Sequence, residues 1–199
     1  MLLRNFYMHN KLRTVIFGGS FDPIHIGHTS LATEVLRQNL ADEVWFMVSP
    51  RNPLKKDLHL TDEALRLEMV RLAVAGEPRF VACDFEFNLP RPSYTYHTLQ
   101  ALEVAYPDRQ FILLIGADNW ACINRWYNYQ EIISRYSIIV YPRGDEKFAQ
   151  LPENVSWISS PLFDISSTEI RSQLFKDEKM QQWLPSGVYD YIITNNLYK

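Results

Sequence analysis

The stretch Gly18-Gly19-Ser20-Phe21-Asp22-Pro23-Ile24-His25-Ile26-Gly27-His28 holds the residue types and spacing best suited to chemistry. An apolar run, Thr14 to Phe17, precedes it and reads as a buried strand. An amphipathic run, Ile26 to Leu40, follows it and reads as a helix. The stretch therefore turns a strand into a helix start, where backbone N–H groups and the positive end of the helix dipole face outward. Such a start binds anions, phosphate above all. Gly18 and Gly19 let the backbone come close to a ligand and take unusual dihedrals. Gly27 leaves room beside the helix start. His25 and His28, three apart, share one face of the first turn.

A second stretch of the same kind lies far along the chain: Ile165-Ser166-Ser167-Thr168-Glu169-Ile170-Arg171. Ser166 with Glu169 three residues later is a capping box. It sets Ser167 and Thr168 at a helix N-terminus, with Arg171 one turn on, able to grip a phosphate. Two anion-binding helix starts in one small domain point to a polyphosphate between them. Between them lie further candidates. The loop Pro50-Arg51-Asn52-Pro53-Leu54-Lys55-Lys56 carries two lysines; such pairs are usually solvated, but Lys55 lies just beyond a strand. Ser93-Tyr94-Thr95 reads as the capped start of a helix running to about Ala105. Asp118, just past the apolar run Gln110 to Ile115, is well placed to accept hydrogen bonds from ribose hydroxyls. Trp126, followed by Tyr127, offers a face on which an electron-poor ring can stack.

The elements that must position these residues follow from the apolar patterning. Strands are expected at Thr14–Phe17, Glu43–Ser49, Arg79–Phe87, Gln110–Ile115, Ser137–Tyr141 and Val155–Ile158. Helices are expected at Ile26–Leu40, Thr61–Ala75, Ser93–Ala105 and after the capping Ser186. Strands alternating with helices give an α/β fold, a Rossmann-like single domain with a mostly parallel sheet of five or six strands and helices on both faces. Ligands of such sheets bind beyond the carboxyl ends of the strands, where the first motif and the loop from Pro50 to Lys56 fall. Residues 1–12 read as a flexible leader and 13–199 as the domain. The 199-residue length suits one domain with a sizeable core. Net charge of −3 implies no general attraction to nucleic acid or membrane. Cys83 and Cys122 are too few for a disulfide framework and read as reduced, buried thiols. No apolar run reaches the roughly 20 residues that cross a bilayer, and no signal-peptide core follows the basic N-terminus. A cytoplasmic protein is expected, with no structural zinc pattern and with room left for a homo-oligomer.

The first motif resembles the HxGH signature of the nucleotidyltransferase superfamily. In the form found here it looks most like that of the bacterial nicotinate-nucleotide adenylyltransferases. The second motif resembles that family's Ile-Ser-Ser-Thr-x-Ile-Arg string. Ser93-Tyr94-Thr95 with Thr98-Leu99 resembles its Ser-Tyr-Thr-x-Asp-Thr-Leu string, departing at His97, where aspartate is usual. Gly116-Ala117-Asp118 followed by Arg125-Trp126-Tyr127 resembles its Gly-x-Asp and Lys-Trp-Tyr, with arginine for lysine. Loop 50–56 keeps only Pro53 and Lys55 of the usual Pro-Pro-His-Lys, and Pro142-Arg143-Gly144 reorders an Arg-Pro-Gly string, leaving Arg143 as a further phosphate candidate. The resemblance implies transfer of AMP from ATP to nicotinate mononucleotide, with Mg²⁺ carried on the ATP. It implies catalytic contacts from His25, His28, Lys55 and Arg171. ATP would be held by those residues and by Gly18, Gly19, Ser20, Phe21, Gly27, Gly116, Ile165, Ser166, Ser167 and Thr168. Nicotinate mononucleotide would be held by Tyr94, Thr95, Asp118, Trp126 and Tyr127. Phosphopantetheine or nicotinamide mononucleotide as acceptor, or a binding module without catalysis, are the competing readings.

Overall fold

A computed structural model describes residues 11–50, 60–142, 150–159 and 165–199. Among the described residues, apolar β-branched and aromatic runs form six strands: β1 (Leu12–Gly19), β2 (Glu43–Val48), β3 (Phe80–Cys83), β4 (Arg109–Gly116), β5 (Ser137–Tyr141) and β6 (Val155–Trp157). They make one sheet in the order β3-β2-β1-β4-β5-β6. Every pairing is parallel, so the expected "mostly parallel" sheet is wholly parallel and has six strands. This is the doubly wound order of nucleotide-binding α/β sheets, whose strand order reverses between β1 and β4.

Seven α-helices among the described residues cover both faces: α1 (Ile26–Arg37), α2 (Glu63–Val74), α3 (Thr95–Ala105), α4 (Ala117–Ala121), α5 (Tyr129–Arg135), α6 (Ser167–Gln173) and α7 (Val188–Thr194). Side chains alternate across a strand, and the core divides accordingly. Val15, Phe17, Phe46, Leu114 and Ile139 face α1, α2, α6 and α7, which contribute Val35, Met69, Ile170 and Ile192. Ile16, Met47, Leu113 and Ile138 face α3 and α5, which contribute Leu99, Leu102 and Ile132. Burial on both faces is why these strands read as continuous apolar runs rather than alternating ones. No helix among the described residues is long and apolar enough to cross a membrane.

Several boundaries differ from expectation for identifiable reasons. α1 stops at Arg37 instead of Leu40 because Asn39 turns left-handed (φ 54°). The Asn39 N–H then donates to the Leu36 carbonyl and the Leu40 N–H to that of Val35, a Schellman closure. β3 ends at Cys83 instead of Phe87, because its register with β2 runs only from Val44↔Phe80 to Met47↔Cys83. Phe85–Asn88 winds instead into a 3₁₀ turn. Tyr94, not Ser93, is the N-cap of α3. Gly187, not Ser186, begins α7, at a left-handed φ of 79° that glycine takes without penalty. α2 is capped by Asp62, which accepts from the Ala64 N–H at 2.9 Å. Cys83 is buried, whereas Cys122 is half-buried.

Leu114 sits at the middle of the central pair, 1% exposed. Leu114→Ala is expected to cost about 2–5 kcal/mol, read as a lower urea midpoint at unchanged slope.

Candidate active site

The carboxyl ends of β1 and β4 open into a cleft of about 310 Å³, at the point where the strand order reverses. The starts of α1, α3 and α6 converge on it. Its lining runs from Ile16 to Phe21 on one side and from Leu113 to Gly116 on the other.

A buried cation builds the rim. Arg66 of α2 is 1% exposed. Its Nε donates to the Thr61 carbonyl at 2.8 Å and its Nη2 to that of Pro50 at 3.1 Å. Nη1 donates to the carbonyls of Ser20 at 2.6 Å and Ser49 at 2.9 Å. One guanidinium thus ties the ends of β1 and β2 to the approach to α2. Burial lowers its pKa, and Asp22 opposes that shift. Asp22 is itself buried, accepting from the Tyr198 hydroxyl at 2.6 Å and the Thr61 N–H at 3.2 Å. Burial first, and then Asp22, push the Tyr198 phenol well above its ordinary pKa.

The turn after β1 holds a backbone surprise. Gly18 and Gly19 were expected to supply the unusual dihedral, but Phe21 takes it, at φ 48°. Left-handed bulky residues cost about 1–3 kcal/mol and gather at ligand sites. A side chain on Gly19 would meet the Phe21 ring at 2.9 Å, while one on Gly18 would point into open space. His25, 7% exposed, is the N-cap of α1. Its backbone N–H donates to His28 Nδ1 at 3.2 Å. That donor makes Nδ1 an acceptor and puts the His28 ring proton on Nε2. The His28 ring lies 3.8 Å from that of His25 and 5.1 Å from Phe21, edge on.

The second motif is bonded directly to the first. Ser166 caps α6, accepting from the Glu169 N–H at 3.1 Å. The Ser167 hydroxyl donates to the Pro23 carbonyl at 2.9 Å. Arg171 donates to the Asp22 carbonyl at 2.5 Å and to the Thr168 hydroxyl at 3.2 Å. Ser167, Thr168 and Arg171 therefore face His25 and His28 across the same cleft, a basic cluster in a chain of net charge −3.

Of the residues expected at the phosphates, Gly18, Gly19, Ser20, Phe21, His25, His28, Gly116 and Ser166 line the cleft with these three. Gly27 and Ile165 are not among its lining residues; Ile165 packs against the core. Lys55 and Arg143 lie outside the described residues. At the other end Tyr94, Thr95, Trp126 and Tyr127 line the cleft. Asp118 does not: it is exposed in the first turn of α4, and its neighbour Asn119 lines the cleft instead. Ser93 Oγ and Trp126 Nε1 are buried with no hydrogen-bond partner among the described residues.

Sequence reasoning gave no role to Arg66, and none to Glu86. Glu86 lines the cleft, 7% exposed, and accepts from the Thr98 hydroxyl at 2.8 Å. Burial raises its pKa, and the hydroxyls of Thr98 and Ser49 oppose that rise. Its place just past β3 was the only sequence signal.

A cytidylyltransferase-like family model matches residues 16–173. A Bacteroides thetaiotaomicron protein named "Probable nicotinate-nucleotide adenylyltransferase" is 49% identical over 185 residues, covering 92% of each chain. One of the same name from Cytophaga hutchinsonii is 42% identical, covering 92% of this chain and 96% of its own. Among solved structures, Plasmodium falciparum nicotinic acid mononucleotide adenylyltransferase complexed with NaAD superposes with a TM-score of 0.76 at 22% identity. That match covers 94% of this chain and 97% of that one and supports the likeness of fold.

Arg66→Met leaves the carbonyls of Ser20, Ser49, Pro50 and Thr61 without this donor. The expected loss is about 3 kcal/mol or more of stability, measured by urea unfolding. Glu86 gives a pH signature. Its folded pKa is raised, so above the unfolded value near 4.5 the folded state holds the proton that the unfolded state releases. Stability therefore falls as pH rises through that window. Glu86→Gln is expected to flatten the fall, checked by unfolding at a series of pH values from 4 upward.

Proposed function

Because the chain belongs to the nicotinate-nucleotide adenylyltransferase family, within the cytidylyltransferase-like group, we propose that its cleft joins ATP to nicotinate mononucleotide as follows. An oxygen of the mononucleotide phosphate attacks the α-phosphorus of ATP. The new P–O bond forms as the bond to the bridging oxygen breaks, and nicotinate adenine dinucleotide and pyrophosphate leave. The nucleophile is already anionic, so no general base is required. What remains for the protein is alignment and the neutralising of charge as it gathers on the leaving pyrophosphate.

The observation that carries this reading is the pair of direct bonds between the two phosphate motifs, Ser167 to Pro23 and Arg171 to Asp22. They put His25, His28 and Arg171 around one space. We assign the ATP phosphates to that space. His28 donates from Nε2, and the N–H groups and hydroxyls at Ser167 and Thr168 add to it. Lys55 joins this group on the sequence alone. Trp126 would stack on the pyridine ring, with Tyr94, Thr95 and Tyr127 around it; Asp118 would reach a ribose hydroxyl from the rim. The buried Trp126 Nε1 and Ser93 Oγ offer that end polar contacts as well as apolar ones. Such a planar, aromatic acceptor end favours a pyridine mononucleotide over phosphopantetheine. The donors around the phosphates are imidazoles and a guanidinium, poor ligands for magnesium. Mg²⁺ would therefore arrive on the ATP, held by phosphate oxygens and water. We read the setting as cytoplasmic and the partners as these two small molecules, with neither nucleic acid nor membrane involved.

The test is pyrophosphate release from Mg-ATP with nicotinate mononucleotide, nicotinamide mononucleotide or phosphopantetheine, one at a time. Release is expected with the first, and His28→Ala should lower kcat by about 10²–10³. Preference for phosphopantetheine would overturn the acceptor assignment; ATP binding without release would leave a nucleotide-binding module.

A further inference from the structure

His97 has no place in the contacts above, and it is exposed rather than part of the cleft lining. Its ring nevertheless meets three tyrosines. Centroids lie 5.0 Å from Tyr127, 5.9 Å from Tyr94 and 5.9 Å from Tyr96. Tyr127 also meets Tyr94 at 5.1 Å and Tyr96 at 6.2 Å. Four rings thus join the first residues of α3 to the loop that carries Trp126 and Tyr127.

Tyr127 needs such support. It lies between a 3₁₀ turn, Ile123–Arg125, and Asn128, which is left-handed at φ 51°. It belongs to no strand or helix, and it is 48% exposed. Its ring neighbours among the described residues are Tyr94, Tyr96 and His97, and His97 is the nearest by centroid. His97 also stands third in α3, at the positive end of the helix dipole. A carboxylate would suit that end electrostatically; an imidazole gains nothing from it. What an imidazole adds is a ring that two cleft-lining tyrosines meet, Tyr94 at an interplanar angle of 82° and Tyr127 at 58°.

Resting on the reading that this end of the cleft holds the pyridine mononucleotide, we propose that His97 is a positioning residue, whose ring holds Tyr127 and Tyr94 in place around the acceptor. It acts through those tyrosines and does not touch substrate. The device specifically concerns the acceptor, because the ATP end is built from α1 and α6, tied to each other by the bonds of Ser167 to Pro23 and Arg171 to Asp22.

Two variants test it: His97→Asp, which removes the ring, and His97→Phe, which keeps one. The first is expected to raise KM for nicotinate mononucleotide about fivefold, the scale of losing aromatic contacts, with kcat and KM for ATP unchanged. The second should stay within about twofold of wild type on the same scale. An unchanged KM in His97→Asp, an equal loss in His97→Phe, or a loss shared with ATP would each overturn the proposal. Near-ultraviolet circular dichroism supplies a reading without turnover: the tyrosine signal should fall in His97→Asp and persist in His97→Phe. A wild type inactive with every acceptor would sink the proposed reaction, and the dichroism would still decide the ring cluster: an unchanged signal in His97→Asp overturns it.

Discussion

One buried guanidinium holds the working end of this molecule together. The carboxyl ends of parallel strands are a poor place to build anything rigid, because the ladder stops there and carbonyls are left over. Arg66 turns that surplus into a clamp, spending its donors on four carbonyls from three chain segments. The desolvation of a charge is offset only when it is well hydrogen-bonded, and here each of the three guanidinium nitrogens donates to a carbonyl. The turn after β1 can then keep a left-handed Phe21 in place, and the histidines that follow begin a helix on a fixed footing.

The two ends of the cleft are held by different physics. At the histidine end the tethers are hydrogen bonds to backbone carbonyls, short and directional: Ser167 to Pro23, Arg171 to Asp22. They tolerate little displacement, which suits a site where charge must be met at fixed points. At the tryptophan end the neighbours are rings, Tyr94, Tyr96, His97 and Tyr127, at centroid separations of 5.0–6.2 Å. Ring contacts are broad in their geometry, which suits a surface that must fit itself to a flat group. Glu86 and Thr98 lie within the same cleft, polar groups already paired with one another.

The strands and the first motif were legible because burial on both faces writes itself as apolar runs, and because a strand, glycines and a helix start have their own residue signature. The second motif was legible through Ser166 and its cap. Arg66 was not, since its partners are backbone carbonyls and these carry no residue identity; within α2 it looked like any charge on a solvated face. Phe21 was legible as a cleft residue but its left-handed backbone was not, because flexibility is read from glycine, whereas the turn here is held by surrounding packing. Ser186 and Ser93 were good capping types that lost to their neighbours, Gly187 through its left-handed φ and Tyr94 through where the helix begins. Asp118 and Asn119 differ by one helical step, about 100° of rotation, and which of the two turns to the cleft depends on where the helix begins, which spacing alone does not give.

The bond from Arg171 to Asp22 spans 149 residues of chain, and that from Ser167 to Pro23 spans 144. On a ribosome adding roughly 5–20 residues per second, the first motif emerges many seconds before its counterpart. Strands β1 to β4 can pair in that interval, yet the nucleotide end of the cleft has only one wall until α6 is made and docks. The sheet's central strands are thus available for pairing long before the nucleotide end of the cleft can be complete. Completing that end closes a loop that runs through most of the protein.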